Sequence, residues 1–302
     1  MKPLVSIGIP SYNCSAYILE TLESVKGQTY SSLELIIIDD CSTDDSVEKI
    51  KQWVAACGLS HVRFLCNYRN IGLVKTCNLL LNEFNGVYYS ILGADDILLP
   101  FKIEQQVAVF KKEDDSLAVV YSDAILINER SEIIQESYFQ RIGLWQLPQG
   151  GVFQSLIEKN FIPALSVLVR TSAVKSAGGY DEALAFEDWG MWLYLAQNFR
   201  FYGMPYCTAK YRIHAASMMQ NEANVIRLNR SNIAMFKTYL GKSDAIDLFI
   251  LKKIQGLSIY AYYKGDQEAS RFLLWSFRQT YSFKVFIYYL LSIAGIRFVF
   301  KP

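Results

Sequence analysis

No glycine-rich phosphate loop occurs anywhere in the sequence: neither GxGxxG nor GxxxxGK[ST] is present, and the first strand-like run is followed by Pro10-Ser11-Tyr12-Asn13. A diphosphate is therefore not expected to rest on backbone amides at a helix N-terminus. Charge of one sign is also lacking. The net charge is +1, which argues against a dedicated nucleic-acid binder, since these carry a basic excess. The six cysteines (Cys14, Cys41, Cys57, Cys66, Cys77, Cys207) contain no CxxC pair and no metal-finger spacing, so reduced, partly buried thiols are expected. The first apolar run, Leu4–Ile9, is too short for a secretory signal and stops at Pro10, which points to a cytoplasmic protein. No internal repeat or low-complexity tract is visible.

What is present is core-forming material: 52% of the residues are apolar and 20% are charged. The first half alternates strand and helix signals, the pattern of an α/β fold with a mainly parallel sheet flanked by helices. Strands are expected at Leu4–Ile9, Leu33–Ile38, Val62–Cys66 and Val87–Leu92. Leu33–Ile38 is almost continuously apolar, as a strand buried on both faces should be. Helices are expected over about 15–27, 42–56 and 73–84, with another after Pro100. Leu117–Tyr121 and Ala124–Asn128 read as two strands, and Phe201–Gly203 and Thr208–Ile213 as two more. Phe139–Gly151 reads as an irregular loop, a candidate flap on the acceptor side. From about Gln220 the composition is helical throughout.

In open α/β sheets, ligands bind beyond the carboxyl ends of the parallel strands. Three strands here deliver polar residues to that edge: Pro10 to Asn13, then Asp39–Asp40, then Asp95–Asp96. An Asp-Asp pair in a turn is commonly a solvated loop with capping duty, but the shared edge favours a site. Paired aspartates at a strand end can recruit Mg²⁺ or Mn²⁺, a hard cation that takes one or two carboxylates together with phosphate oxygens.

An ordered set of strings resembles the family 2 glycosyltransferases. It comprises Val5-Ser6-Ile7-Gly8-Ile9-Pro10-Ser11-Tyr12-Asn13, Ile36 to Asp44, Asn70-Ile71-Gly72, Leu92-Gly93-Ala94-Asp95-Asp96, Gly178 to Glu182, Glu187-Asp188-Trp189 and Tyr211-Arg212-Ile213-His214. The resemblance implies a GT-A fold over residues 1–217, with a nucleotide-sugar half at about 1–98 and an acceptor half at about 99–217. It implies Asp40 on the nucleotide base beside Pro10 and Tyr12, Asp95 against ribose and diphosphate, and Asn70 and Lys75 near the donor. Asp96 would be the metal ligand, with His214 beside metal or diphosphate, and Asp188, next to Glu187, would be the catalytic base. The donor implied is a nucleotide-sugar, foremost a UDP-sugar, and the acceptor a glycan or a polyprenyl-diphosphate-linked glycan. Gly93 replaces an extra acid common in the family, leaving fewer carboxylates for a metal, and Cys41 replaces a common glycine. The processive Gln-x-x-Arg-Trp motif is absent, which favours addition of single sugars.

The chemistry is coherent on its own terms. Inverting transfer needs a base within reach of an acceptor hydroxyl, opposite a leaving diphosphate stabilised by positive charge. Asp188 could equally be an acid of its helix's first turn, and His214 a structural imidazole. Residues 218–302 form an aromatic, basic helical region. It is read either as an element lying on the inner membrane face or as helices packed on the protein or on a second subunit. The uncharged stretch Val285–Ile296 is too short to span a bilayer, which needs about 20 residues. Two other classes compete: a catalytically silent binding or scaffold protein of the same fold, and a glycoside hydrolase. In the second, the nucleotide-pocket motifs would have no purpose.

Overall fold

Apolar runs bounded by polar turns set the strands, and their order sets the site. The computed structural model describes residues 2–59, 61–215 and 222–298. Nine strands form one sheet: β1 (Val5–Ser11), β2 (Leu33–Asp39), β3 (Val62–Cys66), β4 (Tyr88–Ile91), β5 (Ile97–Leu98), β6 (Leu117–Ile127), β7 (Ile133–Gln135), β8 (Leu168–Arg170) and β9 (Arg200–Arg212). Their order is β3-β2-β1-β4-β8-β6-β9-β5, with β7 paired to β6. The first four are mutually parallel, as crossover helices require. Beyond β4 the sheet is mixed: β8 is antiparallel to β4 and β6, while β9 runs parallel to β6 and antiparallel to β5.

The connecting helices are α1 (Ile18–Lys26), α2 (Ser46–Ala56), α3 (Leu73–Glu83), α4 (Lys102–Phe110), α5 (Tyr138–Arg141), α6 (Phe153–Glu158), α7 (Thr171–Ser176) and α8 (Asp188–Leu195). Each of α1 to α4 buries one stripe, such as Ile18, Leu22 and Val25 of α1. The stripes of α1, α2 and α4 and the inner residues of β1 and β2 build a continuous core with Leu117, Val120 and Leu168. Gly8 on β1 is required by this packing, because a Cβ there would meet the Phe84 ring at 2.5 Å.

Two expectations are corrected. The paired segments at 117–128 form one strand, and so do those at 201–213. Asp123, which suggests a break in β6, is buried and satisfied by the N–H groups of Ala124 and Phe139, 2.8 and 2.9 Å away, and by Ser137 Oγ. In β9, Pro205 and Tyr206 have no partner on β6: Ser122 faces Met204 and Asp123 faces Cys207. Proline therefore sits in a bulge, where it interrupts no ladder. The 139–151 stretch opens with α5 and is then irregular, tied down by Tyr121 Oη donating to Pro148 O at 2.5 Å and by a bridge between Gly150 and Phe201.

The chain divides into two compact units, Met1–Glu182 with Glu187–His214, and Ala183–Phe186 with Ala215–Pro302. The second contains α9 (Glu222–Lys237), α10 (Asp244–Lys264), α11 (Ala269–Thr280) and α12 (Phe283–Ile293). Ser243 caps α10 and Gly265 ends it in the left-handed conformation, φ +69°. Ala261, Tyr262, Ala269, Leu273 and Val285 form a small core among the last three helices. No helix among the described residues is long and apolar enough to cross a membrane.

Candidate active site

The carboxyl ends of β1 and β2 are bound together by side chains. Asp39, fully buried, accepts from Ser11 Oγ at 3.0 Å and from both the N–H and the Oγ of Ser42 at 2.7 Å. Asn13 donates its N–H to Ser42 Oγ and accepts Thr43 N–H, each at 2.8 Å. Asp44 accepts from Ser15 N–H and Ser46. Burial raises its pKa, but these hydrogen bonds outweigh burial and hold it at about 2. Asp40, also buried, accepts from Asn67 Nδ2, Ile71 N–H and Gly72 N–H at 2.8, 2.9 and 2.8 Å, which fixes the loop entering α3. Cys41 follows at φ +65°, a conformation that costs a side-chain-bearing residue about 1–2 kcal/mol and explains why glycine suits this position. Pro10 is half-buried and Tyr12 exposed at the same edge, on either side of Ser11, which pairs with Asp39.

The turn after β4 is built differently. The Oδ1 of Asp95 and the Oδ2 of Asp96 lie 2.8 and 2.9 Å from the point a Cβ on Gly93 would occupy. Two carboxylates thus converge over the glycine, and a side chain at 93 would collide with them. Burial, then repulsion from Asp95, pushes the Asp96 pKa well above the usual carboxylate range, against the opposing pull of Arg212. Thr21 Oγ1 holds the turn by donating to Ala94 O at 3.0 Å.

Arg212, at the end of β9, is the hub of this turn. Its N–H donates to Asp96 Oδ1 at 2.9 Å and its Nε to Asp95 O at 2.7 Å. Its guanidinium, fully buried, also reaches Asn128 O, Ser131 Oγ and the Glu20 carboxylate at 3.0, 3.0 and 2.6 Å, and lies 4.7 Å from the Tyr17 ring centre. His214 places Nε2 2.8 Å from Asp95 Oδ2, its ring 5.0 Å from that of Tyr17.

Glu187 and Asp188 stand where α8 begins. Asp188 Oδ2 accepts from Asn160 Nδ2 at 2.9 Å, and Trp189 Nε1 ties α8 to Leu156 O of α6 at the same distance. Burial raises both acids, Glu187 to about 8 with help from Asp188, while the Trp189 and Asn160 donors restrain Asp188. Burial raises Cys77, Tyr89 and Tyr180, with a smaller contribution from the Glu187 charge, and the two tyrosines share a 2.7 Å hydrogen bond. Burial likewise raises Tyr138 and Tyr211, with smaller contributions from Asp188 in both and from Asp96 and Asp95 in Tyr211.

Residues 6–165, more than half of the chain, match the profile of Glycosyl transferase family 2. The chain belongs to that family. This glycosyltransferase is 26% identical over 279 residues to an uncharacterized glycosyltransferase of Haemophilus influenzae, covering 88% of this chain and 83% of the relative. It is 28% identical over 225 residues to the putative teichuronic acid biosynthesis glycosyltransferase TuaG of Bacillus subtilis, covering 73% and 83%. Among solved structures, the mannosyltransferase PcManGT of Pyrobaculum calidifontis, in complex with GDP-Man and Mn²⁺, superposes with a TM-score of 0.65. That match has 15% identity and covers 98% of this chain and 80% of the other. The fold is that of the GT-A glycosyltransferases.

In the glycosyltransferase, Asp95, Asp96 and His214 come together at one turn, and Asp40, Pro10 and Tyr12 at the neighbouring strand ends. Asn70 and Lys75 are exposed around the loop that Asp40 anchors. Among the described residues no cluster of three Asp, Glu, His or Cys stands ready for a metal. The converging, mutually repelling pair over Gly93 nonetheless suits a hard cation that takes the rest of its shell from phosphate and water. Gly93 is thus the residue that lets two carboxylates meet, rather than only a missing ligand. Asn160 and the roles of Asp39, Tyr211 and Arg212 are not legible from motif reading. A buried arginine two residues before His214 was the available signal, since such a cation needs partners.

Proposed function

We propose that this enzyme moves a single sugar, with inversion, from a nucleotide-diphosphate sugar to a hydroxyl of a glycan or lipid-linked glycan, with Mg²⁺ or Mn²⁺ assisting. The observation that carries the reading is the turn after β4, where the Asp95 and Asp96 carboxylates converge over Gly93 and His214 Nε2 lies 2.8 Å from Asp95 Oδ2, an arrangement suited to a cation and a diphosphate. GDP-Man and Mn²⁺ on the Pyrobaculum enzyme support the donor class and the cation.

In this reading Pro10 and Tyr12 flank the base, Asp40 shapes the loop carrying Asn70 just before Lys75 of α3, and Asp95 meets ribose and diphosphate. Asp96, with His214 adjoining, would hold the cation, which when bound would supply positive charge to the leaving diphosphate. Asp188, oriented by Asn160, takes the proton of the acceptor hydroxyl as that oxygen bonds to the anomeric carbon. The bond to the diphosphate breaks on the opposite face, and the nucleoside diphosphate departs with its electron pair. Glu187, its pKa raised to about 8 by burial and by Asp188, stays protonated at neutral pH and leaves the negative charge of the pair on Asp188. A polyprenyl-linked acceptor would bring the enzyme to the inner membrane surface.

The test is a panel of UDP-, GDP- and dTDP-sugars assayed by thermal shift with and without Mn²⁺, since bound ligand raises stability by mass action. Stabilisation by one nucleotide class should require the cation and vanish in Asp96→Ala while the apo melting point is retained. Equal metal-dependent stabilisation and turnover in that variant would overturn the assignment.

A further inference from the structure

Charge is divided sharply along the chain. Residues 1–214 carry 18 lysines and arginines against 24 acids, and residues 215–302 carry 12 against 5, so the net charges are −6 and +7. The near-neutral total conceals a basic helical unit.

Its last helix, α12, is amphipathic. Val285 is 1% exposed, and Tyr288, Tyr289 and Leu291 pack beside it against the cluster of Ala261, Tyr262 and Leu273. Tyr288 also hydrogen-bonds Tyr263 and meets the Tyr262 ring edge-on at 5.3 Å. The other face is open. Phe283, Ile287 and Leu290, spaced i, i+4, i+7 on one stripe, are 74%, 41% and 44% exposed, and Ile293 extends the stripe at 58%. Tyr281, just before the helix, is 80% exposed, and Lys284 and Arg278 are exposed beside the aromatic end. A contiguous exposed apolar stripe marks an interaction surface.

We propose that α12 lies flat in the headgroup region of an anionic lipid bilayer. Phe283, Ile287, Leu290 and Ile293 would insert, and Lys284, Arg278 and the basic excess of this unit would pair with lipid phosphates. Eleven residues of helix measure about 16 Å, half the thickness of a hydrocarbon core, so the element rests on the membrane and does not cross it. Aromatic and aliphatic residues on one face with basic groups beside them are what interfacial helices need. A second copy is a poorer occupant, because it would bring two units of charge +7 together. The inference goes beyond the proposed transfer chemistry and does not depend on it.

The test is co-sedimentation of the full chain with phosphatidylcholine vesicles containing phosphatidylglycerol, against phosphatidylcholine alone, at low and high salt. Binding should require the anionic lipid and weaken with salt. The triple variant Phe283→Ser, Ile287→Ser, Leu290→Ser should weaken it by at least about tenfold. Lys284→Glu with Arg278→Glu, which leaves the stripe intact, should weaken binding to the anionic vesicles alone. Failure to bind, equal binding to both vesicle types, binding unaltered in both variants, or a dimer that these substitutions dissociate would each overturn the proposal. Donor hydrolysis in solution should be unchanged in the variants. If it is absent from the wild type while vesicles still bind, the transfer chemistry fails and the membrane surface stands.

Discussion

The carboxylates at the end of β2 and those after β4 and at the start of α8 are opposites. Asp39, Asp40 and Asp44 are saturated with N–H and O–H donors, and Asp44 is held near 2 by them. Asp96 and Glu187 are pushed the other way by burial and by a neighbouring acid, and Asp188 by burial. The first group stiffens loops. The second is poised to accept a cation or a proton, because its ionised forms are poorly supported by the protein itself. Stability and reactivity are assigned to different acids of one site.

The largest effect that would break this contrast lies on the reaction side. Asp188→Asn should lower transfer by about 10²–10⁴-fold while donor affinity is retained, checked by single-turnover kinetics beside calorimetric donor binding. Normal transfer would move Asp188 to the structural group. On the saturated side, Asp39→Ala should cost about 1–3 kcal/mol in denaturant unfolding, since the donors of Ser11 and Ser42 lose their acceptor inside the fold. An unchanged midpoint would show that water replaces the carboxylate.

The smallest effect carries the opposite sign. The folded pKa of Glu187 lies above its ordinary value of 4.5, at about 8. Between those values the native state keeps a proton that the unfolded chain has released, so this group makes stability fall as pH rises. Lys102 acts oppositely from about 7 upward: buried and lowered, it is uncharged while the unfolded chain still holds the proton. Glu187→Gln should therefore flatten the melting-temperature profile between pH 4.5 and 8 and raise it at neutral pH. A profile unchanged by the substitution would place the titration elsewhere.

The parts of the fold that sequence revealed are those where one local pattern sufficed. Leu33–Ile38 is apolar enough to be a buried strand and nothing else, and polar residues at three strand ends, acids at two of them, point to the edge where the site is proposed. The misread elements are those in which tertiary contacts satisfy a local irregularity. Asp123 looks like a break until Ser137 and Phe139 are found on its carboxylate, and Pro205 does until a bulge absorbs it. The candidate site divides in the same way. Asp95, Asp96 and Asp188 stand in recognisable strings, whereas Asn160 acts on Asp188 from 28 residues away with no local signature.

Arg212 sets a condition on how the protein is made. The Asp95–Asp96 turn leaves the ribosome when about a third of the chain exists, yet the groups that fix it, Arg212 and His214, follow 116 to 119 residues later. Until β9 slides between β6 and β5, a nascent chain holds two repelling acids with no clamp. In the proposed reading donor binding depends on this late segment, and a chain truncated before residue 212 should bind no sugar-nucleotide.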